Sequence, residues 1–368
     1  MSKNIICSHC GCEIEGYVYE AEGQHLCEDC YDEETFVCDC CGQRFFSSHN
    51  YGDENTDICR SCFDDSYHHC ENCSSLIHDD DTYWYNDEPY CHSCYDDLSD
   101  NYINDYYYKP EPVFHSCEHE KKIRYYGVEL EIDKGGHYDN NAEELYNIAN
   151  RNDNVLYIKS DGSLDDGMEL VSHPCSLQYH KEEFPWKDVM SEAVNMYYRS
   201  HNTSTCGLHV HIGRAQLGET IDEQEEVISR IMFFFESHWN EMFRFSRRTE
   251  SSIEHWAARY GYKDRPKEIL EDAKKGNKGR YACVNITNGN TVEIRMFRGT
   301  LKYNTFIATL EMVDLICENA VMLSDDEIHK QSWNDFIMSI PPINSELIRY
   351  LKERRLYVNE PVTNEEEI

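Results

Sequence analysis

The stretch YYGVELEID, residues 125–133, alternates as a half-buried β-strand does. Val128, Leu130 and Ile132 share one side, and Glu129, Glu131 and Asp133 share the other. The apolar side belongs to a core. Three acids in a row on the opposite side repel one another unless water or a cation screens them. A solvated edge is one reading, and a bound positive ion is the other.

Three further stretches repeat the pattern. In GLHVHIG (207–213), Leu208, Val210 and Ile212 oppose His209 and His211. In TVEIRMFRG (291–299), Val292, Ile294 and Met296 oppose Glu293, Arg295 and Phe297, after a turn at Asn288-Gly289-Asn290. In LYIKSDGSLDDGMELVSHP (156–174), a short strand, a turn at Asp161-Gly162 and a strand over 168–172 put Glu169 opposite Met168 and Leu170. Periodicity predicts helices over 186–199, with Pro185 just ahead of the start, over 222–245 and over 303–323. Shorter helices follow over 333–338 and 344–355, and the NEEEI tail is expected to fray. A sheet built from these strands has an apolar back covered by helices. Its front carries Glu129, Glu131, Glu169, His209, His211, Glu293 and Arg295. Carboxylates with two imidazoles make a divalent-cation site: oxygen ligands suit Mg²⁺ or Mn²⁺, and imidazole shifts the balance toward Mn²⁺ or Zn²⁺. Residues two apart on a strand lie about 6–7 Å from each other, so Glu129 and Glu131 can serve neighbouring ions.

Taken together, YYGVELEID, KSDGSLDDGMELVSHP, CGLHVHIG and GRYACVNITNGNTVEIRMFRGTL resemble the amidoligases. These are ATP-dependent carboxylate–amine ligases with a glutamine-synthetase-like fold, common in phages and bacteria. The resemblance runs from about residue 123 to 323, with the motifs in family order. It implies an α+β fold, an antiparallel sheet with helices on one face, and ATP with Mg²⁺ (or Mn²⁺) in the site. It also implies Glu129, Glu131, Glu169, His209 and Glu293 as metal ligands and His211, Arg295 and Arg298 as contacts to the nucleotide phosphates. Arg280 is a further phosphate or substrate contact by the same likeness. Glu131, Arg295 and Arg298 are the residues expected to act in catalysis, by way of an acyl phosphate. Two other functions fit the residues: a metal-dependent hydrolase on the same acidic face, and a non-catalytic adaptor.

The first hundred residues follow a different rule. Cys7-x2-Cys10 precedes Cys27-x2-Cys30 by 16 residues; Cys38-x2-Cys41 precedes Cys59-x2-Cys62, and Cys70-x2-Cys73 precedes Cys91-x2-Cys94, each by 17. The unit recurs every 31 or 32 residues and ends in CEDCYDE, CRSCFDD or CHSCYDD. Paired thiolate knuckles at this separation close a tetrahedral Zn²⁺ site, so three structural Zn²⁺ are expected in modules like zinc ribbons or half LIM domains. Cys12 and Cys40 are spare. Lys3, Arg44 and Arg60 are the only Lys or Arg before residue 100, which argues against phosphate backbones and for protein contact or a structural role. The expected organisation is modules at 1–33, 34–66 and 67–100, an extended linker over 101–122, a catalytic domain over 123–325 and C-terminal helices with a tail over 326–368. His115, Cys117 and His119 in the linker form a weaker chelating group.

A formal charge of −36 over 368 residues disfavours nucleic acid and anionic membrane. No apolar run reaches the roughly 18 residues that span a bilayer, and MSKNIICSHC carries no apolar signal core. Nineteen cysteines, an odd number crowded toward one end, fit metal better than disulfides. A cytoplasmic setting is expected. The substrates are a carboxylate and an amine on small molecules, peptides or proteins.

Overall fold

The computed structural model describes residues 5–85, 88–98, 102–121, 123–276 and 278–358; the expected frayed tail lies outside them. The chain divides into two compact units, Met1–Asn101 and Tyr102–Ile368.

The first unit is a string of small modules with little apolar interior. Two of the leading knuckles sit in the turn between paired strands: Cys38 and Cys41 between Thr35–Val37 and Arg44–Phe46, and Cys70 and Cys73 between Tyr67–His69 and Leu76–His78. In the first module Cys7 and Cys10 lie within the Ile6↔Glu13 bridge. The trailing knuckles open the short helices Glu28–Glu33, Arg60–Ser66 and His92–Leu98. The residue after each leading knuckle is left-handed: Gly11 and Gly42 without steric cost, Ser74 at some cost. Each module's core is a few side chains, such as Leu26, Ile58 or Ile77, packed on cysteines. So small a core needs a second source of stability, as metal supplies.

The second unit is built on one sheet. Its strands are β1 (Ile103–Asn104), β2 (Tyr125–Ile132), β3 (Leu156–Lys159), β4 (Met168–Ser172), β5 (Cys175–Ser176), β6 (Gly207–Gly213), β7 (Val284–Asn285) and β8 (Thr291–Arg298). The order across the sheet is β7-β8-β6-β2-β4-β3-β1, with β5 also on β2. Pairing is antiparallel except at the edge, where β1 runs parallel to β3. Val128, Leu130 and Ile132 join Leu208, Val210, Ile212, Val292 and Ile294 in a continuous core. The helices that cover it are α1 (Asp139–Ala149), α2 (Leu177–Glu182), α3 (Trp186–Asn195), α4 (Ile221–Ser237), α5 (Trp239–Ser246), α6 (Glu250–Trp256), α7 (Pro266–Lys274), α8 (Tyr303–Met322), α9 (Asp325–Lys330), α10 (Trp333–Met338) and α11 (Ser345–Glu353). The last three belong to the same core through Ile328, Phe336 and Leu351, so the described residues from 326 to 358 are part of this unit. Among the described residues no helix is long and apolar enough to cross a membrane.

Three details differ from the sequence expectations. The helix expected over 222–245 is two, because the chain leaves helical geometry at His238 (φ −109°, ψ 32°). The helix expected to 199 stops at Asn195; Tyr197 turns left-handed, and Arg199 exchanges backbone hydrogen bonds with Asp133, 2.8 Å each way. The stretch after residue 101 does not run as a free linker. Ile103 pairs with Ile158, and Tyr102, Ile103 and Cys117 pack on the core. His115 exchanges backbone bonds with Pro174 (3.0 Å) and Ser176 (2.9 Å), so its imidazole and Cys117 are held by the fold.

Candidate functional site

Strand register brings the polar residues of the front face together. Across β2, Glu129 stands opposite His209 of β6 and Glu131 opposite Glu169 of β4. His211 stands opposite Glu293 of β8. The side chains converge further: His209 Nδ1 is 3.1 Å from Glu129 and 3.7 Å from Glu293, and its Nε2 is 3.8 Å from Glu131. Two sets, Glu129/Glu169/His209 and Glu129/His211/Glu293, hold their ligand atoms within 4.8 Å of one another, with Glu129 common to both. Asn285 donates to Glu293 at 2.7 Å, and Arg295 pairs with the other oxygen of the same carboxylate.

The electrostatics are those of a face missing positive charge. Burial, with Glu129 and Glu131 alongside, pushes the Glu169 carboxyl well above the usual range. Burial also raises Glu131, against the pull of His209. At Glu129 burial is outweighed by His211 and His209, which hold its carboxyl well below the usual range. The same contact, opposed by burial, lifts His211 to about 9. His211 Nε2 lies 3.1 Å from Glu129 Oε1 but off the axis of a hydrogen bond, and is left buried without one. Crowded acids and an unused imidazole nitrogen are what a divalent-cation site presents, and the donor set of oxygens with two imidazoles fits Mg²⁺ or Mn²⁺.

Arg298 reaches the same face by an irregularity. Alternation from Glu293 puts Phe297 on the polar side and Arg298 on the apolar one. Between β6 and β8 the register slips, Leu208 facing Phe297 while Val210 faces Ile294, so β8 carries one extra residue. Phe297 therefore enters the core, and Arg298 pairs with Gly207 on the polar side. Arg280 is not part of the cluster. It sits in an exposed turn, donating to Tyr106 at 2.7 Å and to Tyr281 at 3.0 Å. Tyr106 in turn lies 5.4 Å beneath the Lys159 ammonium, which is 3.7 Å from Glu169.

Several residues of the site carry no clear mark in the sequence. Lys159 is visible only once β3 is paired to β4. Asn285 follows from the β7–β8 pairing. Asp161, at the turn after β3, adds to the charge that raises Glu131 and Glu169. Arg248, between α5 and α6, is buried near Glu131; burial lowers its pKa to about 10 with Glu131 opposing.

The three four-cysteine sets of the first unit also close. Sγ atoms lie 3.8 Å apart for Cys10–Cys27, 4.0 Å for Cys41–Cys59 and 3.8 Å for Cys73–Cys91. A tetrahedron with Zn–S bonds of about 2.3 Å has edges of about 3.8 Å, and a disulfide needs about 2.05 Å. Against burial, backbone N–H groups of Cys10, Cys27 and His9 draw the Cys7 thiol down to about 6. Those of Cys41, Cys59 and Cys40 do the same for Cys38, and Ser75 does so for Cys73. Cys70 is lowered too, against burial, by the backbone N–H groups of Cys73, Cys91 and Asn72, so each module has at least one thiol biased toward the thiolate that binds metal. Each set, Cys7/Cys10/Cys27/Cys30, Cys38/Cys41/Cys59/Cys62 and Cys70/Cys73/Cys91/Cys94, can hold a metal ion.

Comparison with known proteins gives one family. The model described as "Putative amidoligase enzyme" matches residues 133–316. No curated protein matches the chain. Among solved structures, a bifunctional glutathione synthetase from Pasteurella multocida overlaps 65% of this chain and 45% of its own, at 11% identity and a TM-score of 0.32. The ligase PafA, solved with the prokaryotic ubiquitin-like protein Pup, overlaps 64% of this chain and 63% of its own, at 9% identity and a TM-score of 0.31. The chain thus spans less than two thirds of either structure, and overlaps this loose place no residue.

Proposed function

The chain belongs to the amidoligase family, and from that premise we propose that it joins a carboxylate to an amine at the expense of ATP, through an acyl phosphate. The observation that supports this most is the convergence on one sheet face of four carboxylates and two imidazoles, bordered by Arg248, Arg295 and Arg298. Cation-binding groups beside anion-binding groups suit a polyphosphate and a carboxylate held together.

A carboxylate does not accept an amine directly, because its oxygen is a poor leaving group. In the first step a substrate carboxylate oxygen bonds to the γ-phosphorus, the bond to the β–γ bridging oxygen breaks, and ADP departs. In the second the amine nitrogen bonds to the acyl carbon, the carbon–oxygen bond to phosphate breaks, and the nitrogen gives its proton to solvent. Glu129, Glu131, Glu169, His209 and Glu293 would hold divalent cations, which supply neutralising charge to the phosphates. His211 and Arg295 face the phosphates; the Arg295 Nε is buried without a partner and has a donor to give. Arg298, placed by the bulge, stabilises charge on the transferred group. Arg280 is kept as an outer contact, acting through Tyr106. In the first unit the cysteine sets hold structural Zn²⁺, and the modules recruit a protein or peptide substrate.

The test is ADP release from ATP and Mg²⁺ by the full chain, with hydroxylamine as amine and a panel of amino acids and dipeptides as carboxylates. ADP and hydroxamate forming together, and only when both are supplied, supports the reading. Hydroxamate without ATP, or ATP bound and never cleaved, contradicts it.

A further inference from the structure

A cavity of about 830 Å³ opens where β6 begins and β8 ends, walled in part by Thr203, Cys206, Arg248, Ser252, Trp256 and Arg298. Arg248, in its wall, links it to the carboxylate cluster, because the same guanidinium lies beside Gly207 and interacts with Glu131. The backbone N–H of Gly207 donates to Glu131. A Cβ on Gly207 would stand 2.5 Å from Arg248 Nη2, 2.7 Å from His209 Nε2 and 3.4 Å from Glu131 Oε2. Glycine here leaves room for Arg248, His209 and Glu131 to approach one another.

Arg248 is fixed on two sides and free on the third. Its Nε donates to the Phe297 carbonyl at 3.2 Å and its Nη1 to Ser252 Oγ at 3.0 Å. Its Nη2, which faces the Gly207 gap, donates to no acceptor among the described residues. Among the described residues the Arg298 side chain makes only long bonds, 3.4 Å to the Arg247 carbonyl and 3.3 Å to that of Thr203. Two guanidiniums thus border the cavity with donors to spare, and the like charges of Arg295 and Arg298 crowd Arg248. An anion between them relieves that crowding. A guanidinium with its stem pinned and one edge exposed is pre-organised for a carboxylate.

The rest of the wall says which anion. Thr203, Ser204, Thr249, Ser251 and Ser252 carry hydroxyls, Trp256 and His255 are the two ring side chains, edge to face with centroids 4.3 Å apart, and Glu254 adds a carboxylate. A flat purine is held best between two apolar faces, and Trp256 and His255, in edge-to-face contact with each other, leave no such slot between them. A small polar molecule with a carboxylate at one end and an ammonium at the other matches the hydroxyls, the arginines and Glu254. We propose that this cavity holds the carboxylate substrate, an amino acid or short peptide, with Arg248 and Arg298 gripping the carboxylate that is to be activated. This assignment rests on the ligase reading above and goes further, because it names the substrate's chemical class, its pocket and a residue that binds it.

The test is a split of Michaelis constants in the full chain, with ATP, Mg²⁺ and hydroxylamine. The carboxylate panel contains the amino acids, dipeptides and octanoate as an apolar contrast. Arg248→Gln should raise the KM of the active carboxylate at least about tenfold, the loss of one charge-assisted hydrogen bond. The KM for ATP should stay within about twofold. Arg248→Lys, which keeps the charge and loses the fork, should fall between. Ser251→Trp, at an exposed wall position, should raise the carboxylate KM by filling the cavity while the melting temperature is unchanged; it decides the matter if Arg248→Gln does not fold. A rise in the ATP KM with the carboxylate KM unchanged would assign the cavity to the nucleotide and overturn the proposal. Octanoate as the preferred acid would overturn the substrate class. A wild type that cleaves no ATP with any carboxylate removes the ligase reading and this assignment together; a wild type that turns over while both variants leave the carboxylate KM alone removes only the assignment.

Discussion

Replacing Glu129 by Gln keeps the shape of the side chain and removes its charge. Glu129 is the residue common to both candidate cation groups, so one substitution takes an anionic ligand from each. A ligand at a hundred times its Kd stabilises a fold by about 2.7 kcal/mol. If the variant binds about a hundredfold more weakly, the same concentration equals its Kd and leaves about 0.4 kcal/mol. The difference, about 2.3 kcal/mol, corresponds to about 5–9 °C of melting temperature for a unit of this size. The assay is a thermal melt of wild type and Glu129→Gln, without ligand and across a titration of ATP with Mg²⁺ or Mn²⁺. Glu219→Gln, an exposed acid before α4, is the charge-matched control. Thr291 does not serve as one, because its hydroxyl lies 3.3 Å from His211 Nδ1. Equal ligand-induced shifts in wild type and Glu129→Gln would make the face a polar surface and nothing more.

Protein purified without added metal should contain three Zn²⁺ per chain, and a chelator should unfold the first unit while the second keeps its melt; elemental analysis finding one or none, with disulfides between knuckles, would refute the cysteine reading. A fragment of residues 102–368 should fold and bind ATP–Mg²⁺, whereas 123–368 should lose about 3–5 kcal/mol, because β1 and the bonds of His115 to Pro174 and Ser176 go with the missing segment. Denaturant unfolding of both fragments checks this, and equal stability would mean that the segment only rests on the surface. His180 is fully buried, its Nε2 donating to the Tyr126 carbonyl at 3.0 Å and its Nδ1 accepting from Trp186 at 3.1 Å. Burial lowers its pKa from 6.5 to about 4. The unfolded chain takes up this proton first as pH falls, so the stabilisation is present above pH 6.5 and is lost toward pH 4, about 2 kcal/mol of it between pH 7 and 5. His180→Asn should lack that part of the slope, and parallel pH profiles of unfolding free energy would refute it.

The strands that carry the site were readable because each pairs a clean two-residue alternation with chemistry on one side. YYGVELEID, GLHVHIG and GMELVS keep that alternation in the fold. TVEIRMFR does not, since the extra residue between Ile294 and Phe297 exchanges the sides of Phe297 and Arg298. A bulge depends on the partner strand, and no local pattern announces it. The break at His238 is of the same kind: an apolar spacing that continues across 222–245 does not say that the axis changes. The 102–120 segment looked like a linker because it lacks a period, yet its order comes from single contacts made by His115, Cys117 and Tyr102. Arg248 had no signal beyond two arginines after a helix. The cysteine repeat was the reverse case, where spacing alone placed all twelve ligand atoms in three sets.

The central claim is that a carboxylate oxygen becomes bonded to phosphorus before the amine arrives. It is tested most directly by supplying, in ¹⁸O-labelled form, the carboxylate that stimulates ADP release, with ATP, Mg²⁺ and hydroxylamine, and analysing the released phosphate by ³¹P NMR or mass spectrometry. An acyl phosphate transfers one labelled oxygen to inorganic phosphate for each hydroxamate formed. Unlabelled phosphate at full turnover, or AMP and pyrophosphate in place of ADP, would contradict the account.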